Sequence, residues 1–150
     1  MGNICRSPTA EGVFRQLIVE YPALNQLEID SCGTIGYHVG EPPDPRSVSA
    51  AKNRGYDLST IRSRKIIKDD LEYYDFVLAM DKENLANLLN LAPEQSQNRH
   101  KISLFLDYSA TKTTCVPDPY YGGSSGFDDV IDLIEDASKG LILHLLKHNN

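Results

Sequence analysis

The sequence predicts an α/β fold with three layers, in which helices flank a short parallel sheet. Residues 75–80 contain a continuous apolar run, typical of a strand that is buried on both faces, and a helical pattern follows it at once. A second apolar run, at residues 102–106, comes before a long amphipathic helix that begins near Ser125. Because strands that alternate with helices are typical of parallel sheets, these observations indicate a parallel α/β fold.

The N-terminal part of the chain predicts a helix, a short strand and a loop. Apolar residues from Ser7 to about Tyr21 share one helix face, with Ser7 as the N-cap and Pro8 at the first helical position. Residues 25–31 are expected to form a short strand. The segment that follows is rich in glycine and proline and is expected to be a loop.

The middle of the chain predicts three further helical segments. Residues 46–54 are expected to form a short helix that ends at Gly55, and residues 68–73 a helical turn. Asp81 is expected to cap a helix that continues to about Leu91. Because strands are predicted at only three places, the expected sheet is small for a parallel α/β fold.

Composition limits the possible functions. The chain has 150 residues, of which 41% are hydrophobic and 24% charged, which is typical of a soluble globular protein that forms one domain over residues 1–150. A net charge of −6 argues against a general nucleic-acid binder. No apolar run approaches the ~18 residues of a membrane span, and no signal peptide is visible. Three scattered cysteines favour a reducing compartment, so a cytoplasmic location is expected.

Residues 2–7 (Gly-Asn-Ile-Cys-Arg-Ser) run directly into the first predicted helix. Flexible residues at this position expose backbone N–H groups at the positive end of the helix dipole, which favours anion binding. The fork-shaped guanidinium of Arg6 can contact two phosphate oxygens at once. Considered alone, the segment fits an ordinary glycine turn with a surface arginine equally well.

The longer string at residues 2–11 closely resembles the phosphate-binding loop of the low-molecular-weight protein tyrosine phosphatases. Other segments resemble parts of the same family, in the same order and over nearly the whole chain. The most specific of them is Asp118-Pro119-Tyr120, which resembles the family's general-acid loop. The other matching segments are residues 30–31, 36–44, 63–65 and 75–81.

This resemblance implies hydrolysis of protein phosphotyrosine, in which a cysteine thiolate attacks phosphorus and forms a phosphocysteine. It implies that Arg6 is the catalytic arginine, and that Ser7 assists departure of the sulfur. Asn3 would hold the loop in its strained conformation, braced by Ser31 from the neighbouring strand. The residues implied in phosphate binding are Gly2, Asn3, Ile4, Cys5, Arg6 and Ser7.

The resemblance also implies that Asp118 is catalytic, because it would protonate the leaving phenolate and then activate water. Tyr120 and Tyr121 would form a wall of the cleft that suits a phosphotyrosine ring. The implied partners are phosphotyrosine-containing proteins or aryl phosphates, with inorganic phosphate as product or inhibitor. No cofactor, metal, nucleic-acid partner or membrane partner is expected.

The family's signature is a cysteine, five residues and an arginine. Six positions before Arg6 falls one position before Met1, and no cysteine of the chain has an arginine at this spacing. We therefore expect the nucleophile, and the first central strand of the sheet, to be missing from this chain. Either the start has been assigned at an internal methionine, or this is a real short form that still binds an anion. Negligible turnover is predicted for residues 1–150.

Two alternative functions remain open from the sequence. A non-catalytic phosphate-binding protein would keep the loop without the reaction. An arsenate reductase uses a similar loop, but that family has additional redox cysteines near the middle of the chain, and residues 60–90 contain none. The tyrosine pair after Asp118 also favours the phosphatase.

Overall fold

Two short parallel strands, β1 (Val77–Ala79) and β2 (Ile102–Leu104), form the sheet in the computed structural model, which describes residues 1–123 and 125–148. Leu78 lies opposite Ser103 in the register of the two strands. Both strands fall within the apolar runs that predict them, although each is only three residues long. The predicted parallel α/β class is confirmed.

Five α-helices of the described chain surround this sheet, and their positions agree closely with the sequence patterns. The C-terminal helix begins where its apolar periodicity begins, and Asp81 caps the helix after β1 through a hydrogen bond from the Asn84 N–H to Oδ1, at 2.7 Å. The helices are α1 (Arg6–Ile18), α2 (Pro45–Asn53), α3 (Lys68–Tyr73), α4 (Lys82–Leu91) and α5 (Ser125–His148). Short 3₁₀ turns lie at Pro22–Leu24, Gln97–Lys101 and Phe105–Tyr108.

The strand predicted over residues 25–31 is wrong. No ladder includes this segment in the described part of the chain, and the nearest pairing is an isolated bridge between Gly33 and Lys65. Side chains satisfy two of its backbone groups instead. Arg15 Nη2 donates to the Ile29 carbonyl at 2.8 Å, and the Ser31 N–H donates to the carboxylate of the preceding aspartate.

The predicted N-cap of α1 is also wrong. The helix begins at Arg6, two residues before the predicted first helical position, and Cys5 occupies the N-cap without a side-chain cap. Ser7 Oγ accepts a hydrogen bond from Asn3 Nδ2 at 2.8 Å, so the Ser7 side chain holds the preceding loop rather than the helix. Pro8 remains within the first turn, where a missing N–H leaves no helical hydrogen bond unmade.

Apolar side chains pack on both faces of the sheet, which confirms the three-layer arrangement. The larger cluster joins α1 and α5 to the face that carries Leu78, and it contains the fully buried Val13 and Ile134. A smaller cluster joins Leu71 of α3 and Leu88 of α4 to the opposite face. The larger cluster therefore holds α1 and β1 in a fixed position relative to each other.

Helix α5 approaches the Phe105–Tyr108 turn so closely that one helical position excludes a side chain. A Cβ atom added at Gly140 would lie 1.7 Å from the carbonyl oxygen of Tyr108. The absence of a side chain at Gly140 therefore allows α5 to pack this close to the turn. Although α5 has 24 residues, none of the helices within residues 1–123 and 125–148 is both long and apolar enough to span a membrane.

Candidate active site

Asn3 holds the loop of residues 2–7 in place with its side chain. Its φ of 59° is left-handed, a conformation that asparagine tolerates better than most residues. The buried amide donates from Nδ2 to Ser7 Oγ at 2.8 Å and to Ser31 Oγ at 3.0 Å. Its oxygen accepts from the Arg64 N–H at 3.1 Å. These contacts join the two ends of the loop to each other and to the segment behind it.

Ser31 is held in turn by Glu11, a buried carboxylate on α1 that the sequence analysis did not single out. Ser31 Oγ donates to Glu11 Oε2, and Arg15 Nη2 lies 2.7 Å from the other carboxylate oxygen. Burial raises the pKa of Glu11, although these two partners oppose the rise. Because the Asn3 Nδ2 group only donates, Ser31 Oγ accepts from Asn3 and its own hydrogen points to Glu11.

Arg6 is buried beside the loop with one side of its guanidinium already occupied. Nη1 donates to Asp81 Oδ2 at 2.6 Å and to the Val116 carbonyl at 2.8 Å. Within residues 1–123 and 125–148, Nε and Nη2 make no hydrogen bond. Two nitrogens of a fixed, permanently charged group are therefore available to an anion.

Asp81 has two roles, and only one of them was predicted. One carboxylate oxygen caps α4, while the other pairs with Arg6. Burial by itself raises the pKa of Asp81, but the hydrogen bonds from the Asn84 N–H and from Arg6, with the charge of Arg6, outweigh it and lower the pKa. Asp81 and Arg6 are 75 residues apart, so no local pattern indicates the pair.

Replacing Asp81 by asparagine tests this pair without removing the cap, because asparagine caps helices as well as aspartate does. We expect the free energy of unfolding to fall by about 1–3 kcal/mol at pH 7, since the buried Arg6 loses its carboxylate partner. The pKa of Asp81 is lower in the folded chain, so the pair stabilises the fold above the unfolded pKa of about 3.9. That contribution disappears as the pH falls through the folded-state pKa.

Urea unfolding at pH 7 and at pH 3, followed by circular dichroism, measures the effect. The difference between Asp81→Asn and the unmodified chain should shrink at the lower pH. Asp107→Asn is the matched control, because Asp107 accepts from the Leu104 N–H and pairs with no arginine in the described ranges. An equal loss for both variants at pH 7 would contradict a special contribution from the Arg6 pair.

The residues predicted for the second half of the site lie on an exposed loop after β2. Asp118 Oδ1 accepts from the Tyr120 N–H at 3.0 Å. The rings of Tyr120 and Tyr121 are 4.9 Å apart in an edge-to-face arrangement. Tyr120 is 40% exposed and Tyr121 91%, so Tyr121 leaves most of its ring open to solvent.

One cavity of about 430 Å³ brings the two halves together. Its lining includes all of residues 2–7 together with Asp118, Tyr120 and Tyr121. It extends along β1, and Tyr37 and His38 also line it, although neither is among the residues predicted for the site. Ser31 does not line this cavity and lies behind the loop, against Asn3.

The cysteine of the loop is buried and remains a thiol near neutral pH. Burial raises the pKa of Cys5 to about 11, and it does the same for Cys32. Among residues 1–123 and 125–148, no three histidine, cysteine, aspartate or glutamate side chains come close enough together to hold a metal ion. The arrangement therefore offers an anion site with a nearby carboxylate.

Comparison with known proteins identifies the family. The family model described as low molecular weight phosphotyrosine protein phosphatase matches residues 1–150. The chain belongs to this family. The resemblance inferred from the motifs is confirmed, and the arsenate reductase alternative is not favoured.

Individual members of the low-molecular-weight phosphatase family are similar over most of their length. The low molecular weight phosphotyrosine protein phosphatase of Schizosaccharomyces pombe is 40% identical over 144 residues, which cover 95% of this chain and 90% of that protein. A crystal structure of a protein tyrosine phosphatase from Entamoeba histolytica has a TM-score of 0.93 at 42% identity, covering 100% of this chain and 95% of that one.

A third relative was solved with a bound ligand. The structure of Wzb from Vibrio vulnificus in complex with benzylphosphonate has a TM-score of 0.79 at 28% identity, and the match covers 94% of this chain and 91% of that one. These similarities confirm the fold class that the sequence predicts.

Proposed function

We propose that this chain, as a single domain over residues 1–150, contributes the phosphate-binding and acid–base groups of a cytoplasmic phosphotyrosine phosphatase. One observation carries the proposal: Arg6, two of whose guanidinium nitrogens make no hydrogen bond to the described residues, lines the same cavity as Asp118 and Tyr120. The substrates are phosphotyrosine-containing proteins or aryl phosphates, and inorganic phosphate is the product. No nucleic acid and no membrane takes part. Free thiols at all three cysteines are consistent with a reducing compartment.

In the first step of the proposed reaction, the loop holds the phosphoryl oxygens. Backbone N–H groups at the start of α1 and the free nitrogens of Arg6 stabilise the charge that develops on those oxygens. A cysteine thiolate attacks phosphorus, so a P–S bond forms while the P–O bond to the phenol breaks. Asp118 gives its proton to the departing phenolate oxygen.

In the second step, the carboxylate of Asp118 accepts a proton from a water molecule that attacks phosphorus. The P–S bond breaks, the thiolate departs and inorganic phosphate is released. Ser7 assists this step. Its oxygen accepts a hydrogen bond from Asn3, so its hydroxyl group can donate a hydrogen bond to the departing thiolate.

The thiolate in this reaction belongs six positions before Arg6, and residues 1–150 contain no cysteine there. The test therefore compares three chains: residues 1–150, the same chain preceded by an apolar strand that ends in cysteine, and a matched extension that ends in serine. We expect only the cysteine extension to hydrolyse p-nitrophenyl phosphate, faster than the other two by at least about a thousandfold.

Acid quenching of the cysteine extension during turnover, followed by mass spectrometry, should detect a phosphoryl group on that cysteine. Two results would contradict the proposal. One is equal hydrolysis by the serine extension, and the other is hydrolysis by residues 1–150 that disappears in Arg6→Ala.

A further inference from the structure

Arg46, in the first turn of α2, joins three separate parts of the molecule. Its Nε and Nη2 atoms donate to the two carboxylate oxygens of Asp44, at 3.0 Å and 2.9 Å. Its Nη1 atom donates to the carbonyl of Tyr120 at 3.1 Å. All three guanidinium nitrogens are therefore used, and the plane of the group is fixed.

The same guanidinium lies over two aromatic rings. Its Cζ atom is 5.3 Å from the centre of the Tyr120 ring and 4.8 Å from that of Phe127 on α5. Both distances are within the range of about 6 Å in which a cation and a ring attract each other. Arg46 thus holds both the backbone and the ring of Tyr120.

The other contacts that the structure describes for this part of the loop lie mostly within the loop itself. Val116 is fixed to the end of β1 by a hydrogen bond to the Met80 carbonyl, and Pro119 is buried. Beyond Pro119 the residues are exposed through Gly123. Arg46 therefore connects Tyr120 to α2, outside the loop, and so helps to set where its ring lies relative to the cavity.

Arg46 does not itself line the cavity, whereas Tyr120 does. Its partner Asp44 is also connected to the phosphate loop, because the Asp44 N–H donates to the Ile4 carbonyl at 2.7 Å. That backbone contact remains when the side chain of residue 46 changes. A change at Arg46 should therefore affect the aromatic wall and leave the anion site intact.

We propose that Arg46 is a positioning residue that gives the site its preference for aryl phosphate groups over inorganic phosphate. It does so by holding the Tyr120 ring where an aromatic leaving group would lie. The proposal rests on the proposed function and deepens it, because it assigns selectivity to a residue that touches no substrate.

Calorimetric titrations of residues 1–150 with inorganic phosphate and with benzylphosphonate test the proposal. Loss of the hydrogen bond and the cation–π contact that Arg46 makes with Tyr120 should raise the Kd for benzylphosphonate about five- to tenfold in Arg46→Ala, while the Kd for phosphate changes less than about twofold. Arg46→Lys should behave in the same way, because lysine keeps the charge but lacks the planar fork.

Arg54→Ala is the matched control. Arg54 follows α2 and also connects it to α5, by a hydrogen bond to Asp132, but it does not line the cavity. Both dissociation constants should be unchanged in this variant. In a Tyr120→Ala background, Arg46→Ala should have no further effect on benzylphosphonate, since Arg46 acts through the Tyr120 ring.

Equal losses for both ligands in Arg46→Ala and Arg46→Lys would overturn the inference and leave the proposed function standing. An undiminished effect of Arg46→Ala in the Tyr120→Ala background would do the same. An unmodified chain that binds neither ligand would contradict the proposed function itself, and the inference with it.

Discussion

Replacing Asp118 by asparagine in the cysteine-extended chain is expected to lower kcat/KM for phenyl phosphate by about a hundred- to a thousandfold. The amide has nearly the same shape as the carboxyl group, but it cannot give a proton to the departing phenolate. The loss should be smaller for p-nitrophenyl phosphate, whose leaving group departs without protonation. Values of kcat/KM on the two substrates measure this difference, because kcat/KM reports the step in which the phenolate departs and not the later hydrolysis of the phosphocysteine.

Asp129→Asn is the control for this comparison, because Asp129 is an exposed acid on α5 that does not line the cavity. Its rates should match those of the unmodified extension on both substrates. If Asp118→Asn lowers kcat/KM for the two substrates by the same factor, Asp118 does not act as the proton donor. A loss confined to phenyl phosphate would support the assignment of Asp118 as the proton donor.

Replacing Arg6 by alanine is expected to raise the Kd of residues 1–150 for inorganic phosphate about a hundredfold. Two charge-assisted hydrogen bonds from Nε and Nη2, each worth about 1.5–3 kcal/mol, would be lost with the side chain. Arg6→Lys should give an intermediate value, because an ammonium group cannot contact two oxygens in one plane. Phosphorus NMR titration at fixed ionic strength provides the dissociation constants.

Arg62→Ala separates a specific contact from the general charge of the molecule. Arg62 is exposed, donates to the nearby Ser59 and Ile61 carbonyls and does not line the cavity. Its removal changes the net charge by the same amount as removal of Arg6. If both variants weaken phosphate binding equally, long-range electrostatics rather than the Arg6 fork attracts the anion.

The elements that the sequence predicts correctly have strong local signals. A buried apolar run predicts β1, and the apolar periodicity of α5 predicts its start near Ser125. Residues 25–31 have only a weak pattern, and there the outcome depends on tertiary contacts. Arg15 reaches across from α1 to satisfy the Ile29 carbonyl, which no property of the segment itself indicates.

The residues of the site fall into the same two groups, those with a local sequence signal and those whose role depends on tertiary contacts. The motifs name Asn3, Arg6 and Asp118 because each stands in a contiguous, recognisable string. The groups that orient them are distant in the chain: Asp81 is 75 residues from Arg6, and Arg46 is 74 residues from Tyr120. These contacts depend on how α2, α4 and the loop after β2 pack, so a single sequence gives no direct signal for them.

Gly140 has a consequence for attempts to make this protein more robust. Exchanging a mid-helix glycine for alanine is a common route to a more heat-resistant variant, because alanine favours the helix by about 1 kcal/mol. Here the added methyl group would meet the Tyr108 carbonyl, and relief would require α5 to move away from the turn. Engineering of this helix therefore has to avoid position 140 and use solvent-facing positions such as Lys139 and Leu143.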